Sequence, residues 1–122
     1  MDIIDFHAHI YPEKIAEKAV RSVGDFYGIG ISRGGTAADL LEDGARAGIS
    51  RFVVHSVAVV PEYVRTINNF LSAAAAAHTE LIGFGTLHPD MDDPLAEIGR
   101  IESLGLRGVK IHPDTQKFPI DD

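Results

Sequence analysis

Short apolar runs alternate along the chain with longer segments in which apolar residues recur every three or four positions. The runs predict strands, and the periodic segments predict helices with one apolar side. Strand and helix patterns alternate in this way four times, which is typical of a parallel sheet lined by helices. We therefore predict an α/β fold with strands at residues 1–9, 51–57, 81–89 and 108–112.

The helices between these strands are bounded by residues that favour helix ends. The first should begin at Pro12, which suits a first turn, and end near Gly24. Thr36 followed by Asp39 resembles an N-cap with an acidic first turn. The remaining helices are predicted at 36–48, 61–77 and 93–105, and the last presents an apolar side of Leu95, Ile98, Ile101 and Leu104.

A glycine-rich segment with aromatic residues, 25–35, follows the first helix. Such a segment is typical of a lid over a substrate, and equally of an ordinary irregular connection. It lacks a complete glycine-rich phosphate-binding signature, so we do not interpret it as a phosphate loop.

The candidate chemistry begins with Asp5, His7 and His9 at the end of the first strand. Strict alternation would put these three side chains on one side of the strand, with the two histidines about 6–7 Å apart along it. Neutral imidazole is the commonest protein ligand for zinc-like ions, so the pair predicts a metal site. The alternative is two solvent-exposed histidines beyond a strand end.

Other histidines fall at or near the ends of the later strands, where ligands gather in parallel α/β folds. His88 and His112 follow the third and fourth strands, and Lys110 shares a side with His112. His55 lies near the end of the second strand, where a hydrogen-bonded core histidine is the favoured interpretation and a side chain facing the same site as His7 and His9 is the alternative. His78 falls at a helix end, which suits a capping role.

Composition limits the classes of function. The 122 residues, with 45% apolar content, suffice for one core, and the net charge of −7 disfavours a nucleic-acid partner. There is no cysteine, so thiolate chemistry and disulfides are excluded. We also expect no signal peptide, because Asp2 and Asp5 lie within the first strand, and no membrane segment, because no apolar run reaches about 20 residues. A cytoplasmic location is then the default expectation.

Three stretches, residues 5–12, 85–89 and 108–113, carry a family resemblance. They read DFHAHIYP, GTLHP and GVKIHP, and together they resemble the N-terminal half of a metal-dependent amidohydrolase. Within that superfamily the chain is most similar to the TIM-barrel branch that includes aminocarboxymuconate semialdehyde decarboxylase. The resemblance runs through the whole chain and implies the N-terminal half of a (β/α)8 barrel, as one partial domain at residues 1–122.

The resemblance also implies an activity and a set of site residues. His7 and His9 would bind a divalent ion, most often Zn²⁺ and sometimes Mn²⁺, which lowers the pKa of a bound water. The reaction would be hydrolysis of an amide, ester or lactone, or decarboxylation of a small carboxylic acid. Residues expected to contact the substrate or support the ligands are Asp5, His88, Lys110 and His112.

Lys110 has two further interpretations. Some amidohydrolases use a carboxylated lysine at the end of the fourth strand to bridge two metals. An inward lysine satisfied by Asp5 or by a neighbouring carbonyl is the structural alternative.

The chain departs from the family in length. An eight-stranded barrel needs roughly 250 residues, whereas this sequence predicts four strands. The resemblance would place further ligands and the catalytic groups on the fifth, sixth and eighth strands, so no catalytic residue is assigned here. We expect weak metal binding, negligible turnover from this chain alone, and either a longer gene product or a homo-oligomer that covers exposed strand edges.

Two other classes of function remain open. TatD-like nucleases and other phosphoesterases also carry His-x-His on a first strand. A non-catalytic α/β module, in which the histidines are incidental or structural, is the second alternative.

Overall fold

Parallel strands alternate with helices throughout the computed structural model, which describes residues 1–121. Asp122, the last residue of the predicted domain, lies outside the described residues. The strands are β1 (Ile4–His9), β2 (Arg51–His55), β3 (Leu81–Gly83), β4 (Gly85–Thr86) and β5 (Val109–Lys110). The helices are α1 (Glu13–Tyr27), α2 (Ala37–Ala47), α3 (Val64–Ala77), α4 (Pro94–Ser103) and α5 (Pro113–Gln116), and a 3-10 turn (Pro61–Tyr63) precedes α3. No helix within residues 1–121 is both long and apolar enough to cross a membrane.

The strands follow one another in chain order. β1 pairs with β2, and β2 with β3, while β4 pairs with β5, and every pairing is parallel. The predicted α/β fold is therefore confirmed, and the arrangement is consistent with part of a (β/α)8 barrel. Because parallel strands run in one direction, their carboxyl ends meet at one edge, where the site residues were expected.

The third predicted strand is divided between two partners. Its first half, β3, is paired with β2, and the Phe84 amide donates to the Val54 carbonyl oxygen. Its second half, β4, is paired with β5, and the Gly85 amide donates to the Gly108 carbonyl oxygen. The strand thus links the two sheets, and the prediction of one uninterrupted strand over 81–89 was too long.

The two glycines of this segment allow helices to pack closely against it. A Cβ at Gly83 would lie 2.6 Å from the Leu106 side chain, and one at Gly85 would lie 3.0 Å from Ile101. The sequence predicted a close approach by a backbone or a ligand at this side. A backbone group does approach Gly83, since the Leu71 carbonyl oxygen lies 3.3 Å from the added Cβ, whereas the Asn68 Oδ1 atom lies 3.1 Å from the one at Gly85.

Most predicted helix ends agree with the structure. Thr36 forms a capping box with Asp39, and the Asp93 side chain accepts a hydrogen bond from the Ala96 amide. The predicted end of α1 near Gly24 was wrong, because the helix continues to Tyr27 and ends at Gly28. Gly28 adopts a left-handed conformation with φ of 66°, which suits glycine at a helix end.

The core lies between the sheet and its covering helices. It is a cluster of buried apolar side chains, with Phe52 and Val54 from β2 packed beneath α2 and α3. The other members are Ala8, Ile10, Leu71, Leu81, Ile101 and Leu106.

Candidate metal centre

The end of β1 contains an irregularity that sets the direction of the histidines. Ile4 and Asp5 are in register with Arg51 and Phe52, whereas His9 is in register with His55 after a one-residue shift. An extra residue of this kind is a β-bulge, which redirects a side chain and is frequent beside active sites.

The bulge gives Asp5 a different position from the one predicted. Residues in register on neighbouring parallel strands point to the same side, so Asp5 lies on the side of Phe52, which faces Gly44 of α2. The prediction that Asp5 shares a side with His9 was therefore wrong, because strict alternation does not survive a bulge. Asp5 instead accepts a hydrogen bond from the His7 amide through Oδ1 at 2.9 Å, which holds the bulge.

Three imidazoles converge at the carboxyl ends of β1 and β2. The Nε2 atoms of His7 and His9 are 3.2 Å apart, and the His55 ring centroid lies 4.6 Å from that of His7 and 4.5 Å from that of His9. One ring nitrogen from each residue lies within 4.8 Å of the other two. The structure therefore brings together the two predicted ligands and adds a third.

His55 was interpreted from the sequence as a hydrogen-bonded core histidine, and this was wrong. The side chain is buried, but its Nδ1 atom has no hydrogen-bond partner within residues 1–121. A buried polar atom without a partner is costly, and such atoms often mark the position where an ion or a water molecule binds. Residue parity alone could not show this, because His55 comes into register with His9 only through the bulge.

The charge state of two of these rings follows from their surroundings. Burial lowers the pKa of His9 from 6.5 to about 4, with smaller contributions from the nearby His7, Lys110 and His112. Burial likewise lowers the pKa of His55 to about 3. The nearby His9, His7 and Lys110 lower it further, by smaller amounts. Both imidazoles are therefore neutral near pH 7, and neutral imidazole is the form that binds metal ions.

Lys110 and His112 lie at the end of the fourth predicted strand. Lys110 is the last residue of β5, and His112 follows it at the start of α5. Lys110 is in register with Thr86, and its charge acts on both His9 and His55. It makes no ion pair within residues 1–121, and Asp5 contacts the His7 amide instead. His112 caps α5, where its Nδ1 accepts a hydrogen bond from the Thr115 amide at 3.4 Å.

His88 has a local contact that sets it apart from the three-histidine cluster. It is buried after β4, and its Nδ1 accepts a hydrogen bond from the Asp90 amide at 3.1 Å. This contact closes the turn that follows the strand. The role of His88 toward a substrate remains a prediction.

Two residues near the site gave no signal in the sequence. Gln116 is buried and donates through Nε2 to the carbonyl oxygens of Ala58 and Leu87, while its Oε1 accepts from the His112 amide. Tyr27 reaches His112 from the end of α1, with its hydroxyl 2.9 Å from Nε2. These contacts join residues far apart in the chain, and neither has a local motif.

Comparison with known proteins identifies the family. Residues 4–122 match the family model described as Amidohydrolase. No curated protein and no solved structure matches the chain significantly. The match covers nearly the whole chain and includes all three clustered histidines, as well as the strand ends that carry Lys110 and His112. The chain therefore belongs to the amidohydrolase family.

Proposed function

We propose that this chain carries the metal-binding half of a hydrolase or decarboxylase that acts on a small carboxylic acid, amide, ester or lactone. The observation that supports the proposal most is the convergence of His7, His9 and His55 at the carboxyl ends of two neighbouring strands. Family membership suggests a metal-dependent hydrolase or decarboxylase. The choice between hydrolysis and decarboxylation belongs to the proposal.

The three histidines fit a zinc-like ion on several grounds. Ligand nitrogens about 2.05 Å from a tetrahedral Zn²⁺ are about 3.3 Å apart, and the Nε2 atoms of His7 and His9 are 3.2 Å apart. His55 offers a buried nitrogen, Nδ1, that has no hydrogen-bond partner among residues 1–121. An all-imidazole set suits Zn²⁺, and Mn²⁺ is the second candidate.

The number of protein ligands that the metal ion has determines whether a position is left for water or substrate. Catalytic zinc sites have three protein ligands and leave one position for water or substrate. The sequence predicted two histidine ligands from this chain, and the third imidazole of His55 completes a three-ligand set. When bound, the ion lowers the pKa of water toward neutrality and polarises a carbonyl group.

The chain's own residues would then have distinct tasks. His7 and His9 hold the ion from β1, and the bulge fixed by Asp5 directs them. His55 holds it from β2 and closes the buried side. Lys110 adds a positive charge beside the centre, which favours an anionic substrate over a cationic one.

A turnover assay tests the proposed chemistry. Negligible turnover was expected from two histidine ligands; with three, the chain loaded with Zn²⁺ should hydrolyse p-nitrophenyl acetate slowly but faster than the same chain in EDTA, and His9→Ala should abolish the difference. His78→Ala is the matched control, because His78 lies at the end of α3 and is not one of the clustered histidines.

The same assay discriminates the phosphoesterase alternative. We expect no metal-dependent cleavage of bis(p-nitrophenyl) phosphate by the loaded chain. Cleavage of this phosphodiester without any action on the carboxylic ester would contradict the proposal and support a TatD-like or related phosphoesterase.

A further inference from the structure

Tyr27 contacts His112, one of the residues that the sequence predicted at the site. It is the last residue of α1, yet its hydroxyl lies 2.9 Å from Nε2 of His112, which is 85 positions later in the chain. The ring of Phe26 packs edge-on against the Tyr27 ring at 4.8 Å and restricts its orientation. The contact joins the first helix to the end of the last strand.

The direction of the Tyr27 hydrogen bond follows from the other side of the His112 ring. Nδ1 of His112 accepts from the Thr115 amide, so the neutral ring carries its proton on Nε2. Nε2 therefore donates to the Tyr27 oxygen. The Tyr27 hydroxyl keeps its own proton for another acceptor, and no such acceptor is in contact with it within residues 1–121.

His112 itself is held firmly. Its amide donates to Oε1 of the buried Gln116, and Gln116 donates to two backbone carbonyl oxygens from other strand ends. The imidazole is thereby fixed from its backbone as well as from its ring. It can hold the Tyr27 hydroxyl at one place, although Tyr27 is 54% exposed.

Lys110 brings a positive charge close to the clustered histidines, in contrast with the chain as a whole. Its charge acts on both His9 and His55, and it makes no ion pair within residues 1–121. The chain carries a net charge of −7. A locally positive site in an acidic protein favours an anionic ligand.

We propose that Tyr27, positioned by His112, donates a hydrogen bond to the carboxylate of a small organic acid, and that Lys110 supplies the opposite charge. This inference deepens the proposed function, on which it rests, by naming an anionic substrate and a residue that recognises it. Charge-assisted hydrogen bonds of this kind are stronger than neutral ones. Tyr27 would then contact the substrate, and His112 would act as a positioning residue.

Propionate is a suitable probe, and its binding to the Zn²⁺-loaded chain can be followed by NMR titration. Tyr27→Phe should weaken propionate binding about tenfold, as the loss of one charge-assisted hydrogen bond implies, and should leave Zn²⁺ affinity unchanged. Tyr63→Phe is the matched control, since Tyr63 is 56% exposed and lies in the 3-10 turn before α3. Equal binding by Tyr27→Phe and the unchanged chain would overturn the inference, as would a failure of propionate to bind.

A second variant tests the positioning role. His112→Asn keeps a capping acceptor for α5 but cannot reach Tyr27, so it should weaken propionate binding about as much as Tyr27→Phe. The double variant should bind propionate no more weakly than Tyr27→Phe alone, because the two changes remove the same interaction. Additive losses would overturn the positioning role.

The two proposals fail in different ways. If Zn²⁺ does not bind to the unchanged chain, the proposed function fails, and propionate titration of the metal-free chain still tests Tyr27. If Zn²⁺ binds and Tyr27→Phe has no effect on propionate, only the inference about Tyr27 fails.

Discussion

The buried carboxylate of Glu97 shows how this fold accommodates charge outside the candidate site. Its oxygens accept hydrogen bonds from Asn68 at 2.8 Å and from the Arg100 guanidinium at 2.7 and 2.9 Å. Asn68 in turn exchanges two hydrogen bonds with the Thr86 backbone. Glu97 thus ties α4 to α3 and β4, and the sequence did not predict this because it assigned the buried side of α4 to apolar residues.

The Glu97 network predicts a specific sensitivity to acid. The Arg100 hydrogen bond holds the pKa of Glu97 below its ordinary value of 4.5, so the folded chain binds the proton less readily than the unfolded one. Its contribution to stability is therefore present above about pH 4.5 and is lost as the pH falls through the lower folded value. Denaturant unfolding between pH 7 and pH 3 should show this loss.

Two substitutions separate Glu97 from other carboxylates. Glu97→Gln should reduce the dependence of unfolding free energy on pH, whereas Glu42→Gln should leave it unchanged, since Glu42 forms an exposed pair with Arg46. If both variants keep the pH dependence of the unchanged chain, the ionised buried carboxylate is not what stabilises this region.

Among the elements, α4 and β1 show where sequence patterns succeed and fail. The capping residues of α2 and α4 were predicted correctly, because a cap is decided within four residues. The predicted apolar side of α4 is only half buried. Leu95 and Ile98 are exposed, whereas Ile101 is buried, as is the charged Glu97. The β1 bulge was not predictable, because it arises from pairing with a strand more than 40 residues away.

Two helical glycines with different surroundings give a matched test of helix packing. A Cβ at Gly44 in α2 would lie 2.0 Å from the buried Phe52 ring, so Gly44→Ala should destabilise the chain by about 1–3 kcal/mol through overpacking. Among residues 1–121, no atom outside the backbone of α4 itself and the adjacent residues lies within 4 Å of a Cβ added at Gly99, so Gly99→Ala should stabilise the chain by about 0.5–1 kcal/mol. Thermal or urea unfolding measures both changes, and the same sign for both would contradict the described packing of α2 on β2.

At the scale of the whole molecule, one side of the sheets exposes apolar side chains to solvent. Phe6 is 68% exposed although it packs edge-on against Phe84, and Ile4, Val109 and Ile111 are also exposed. Within residues 1–121, β1 and β5 each pair with a strand on one edge alone. Exposed apolar patches and free strand edges favour association.

We therefore propose that these 122 residues self-associate in solution. Sedimentation velocity should show a sedimentation coefficient that rises with protein concentration, and Phe6→Ser should reduce this rise. Ile15→Ser is the control, since Ile15 is exposed on α1. A stable, well-folded monomer at high concentration would contradict this proposal.

The fold class and the two β1 histidines were accessible from the sequence because they depend on local alternation and on a short motif. The third imidazole, that of His55, was not accessible, because its position depends on the register in which β2 pairs with the bulged β1. The contact of Tyr27 with His112 likewise depends on the assembled fold. Long-range pairing therefore decides the details of the candidate site.

Equilibrium dialysis against Zn²⁺ tests the central claim, that three imidazoles from β1 and β2 form one metal site. The unchanged chain should bind one Zn²⁺, and His7→Ala, His9→Ala and His55→Ala should each weaken binding by about tenfold or more. His78→Ala should bind as the unchanged chain does. If His55→Ala keeps full Zn²⁺ affinity, His55 is not a ligand and β2 does not contribute to the site. If the unchanged chain does not bind Zn²⁺, the proposed metal centre is contradicted.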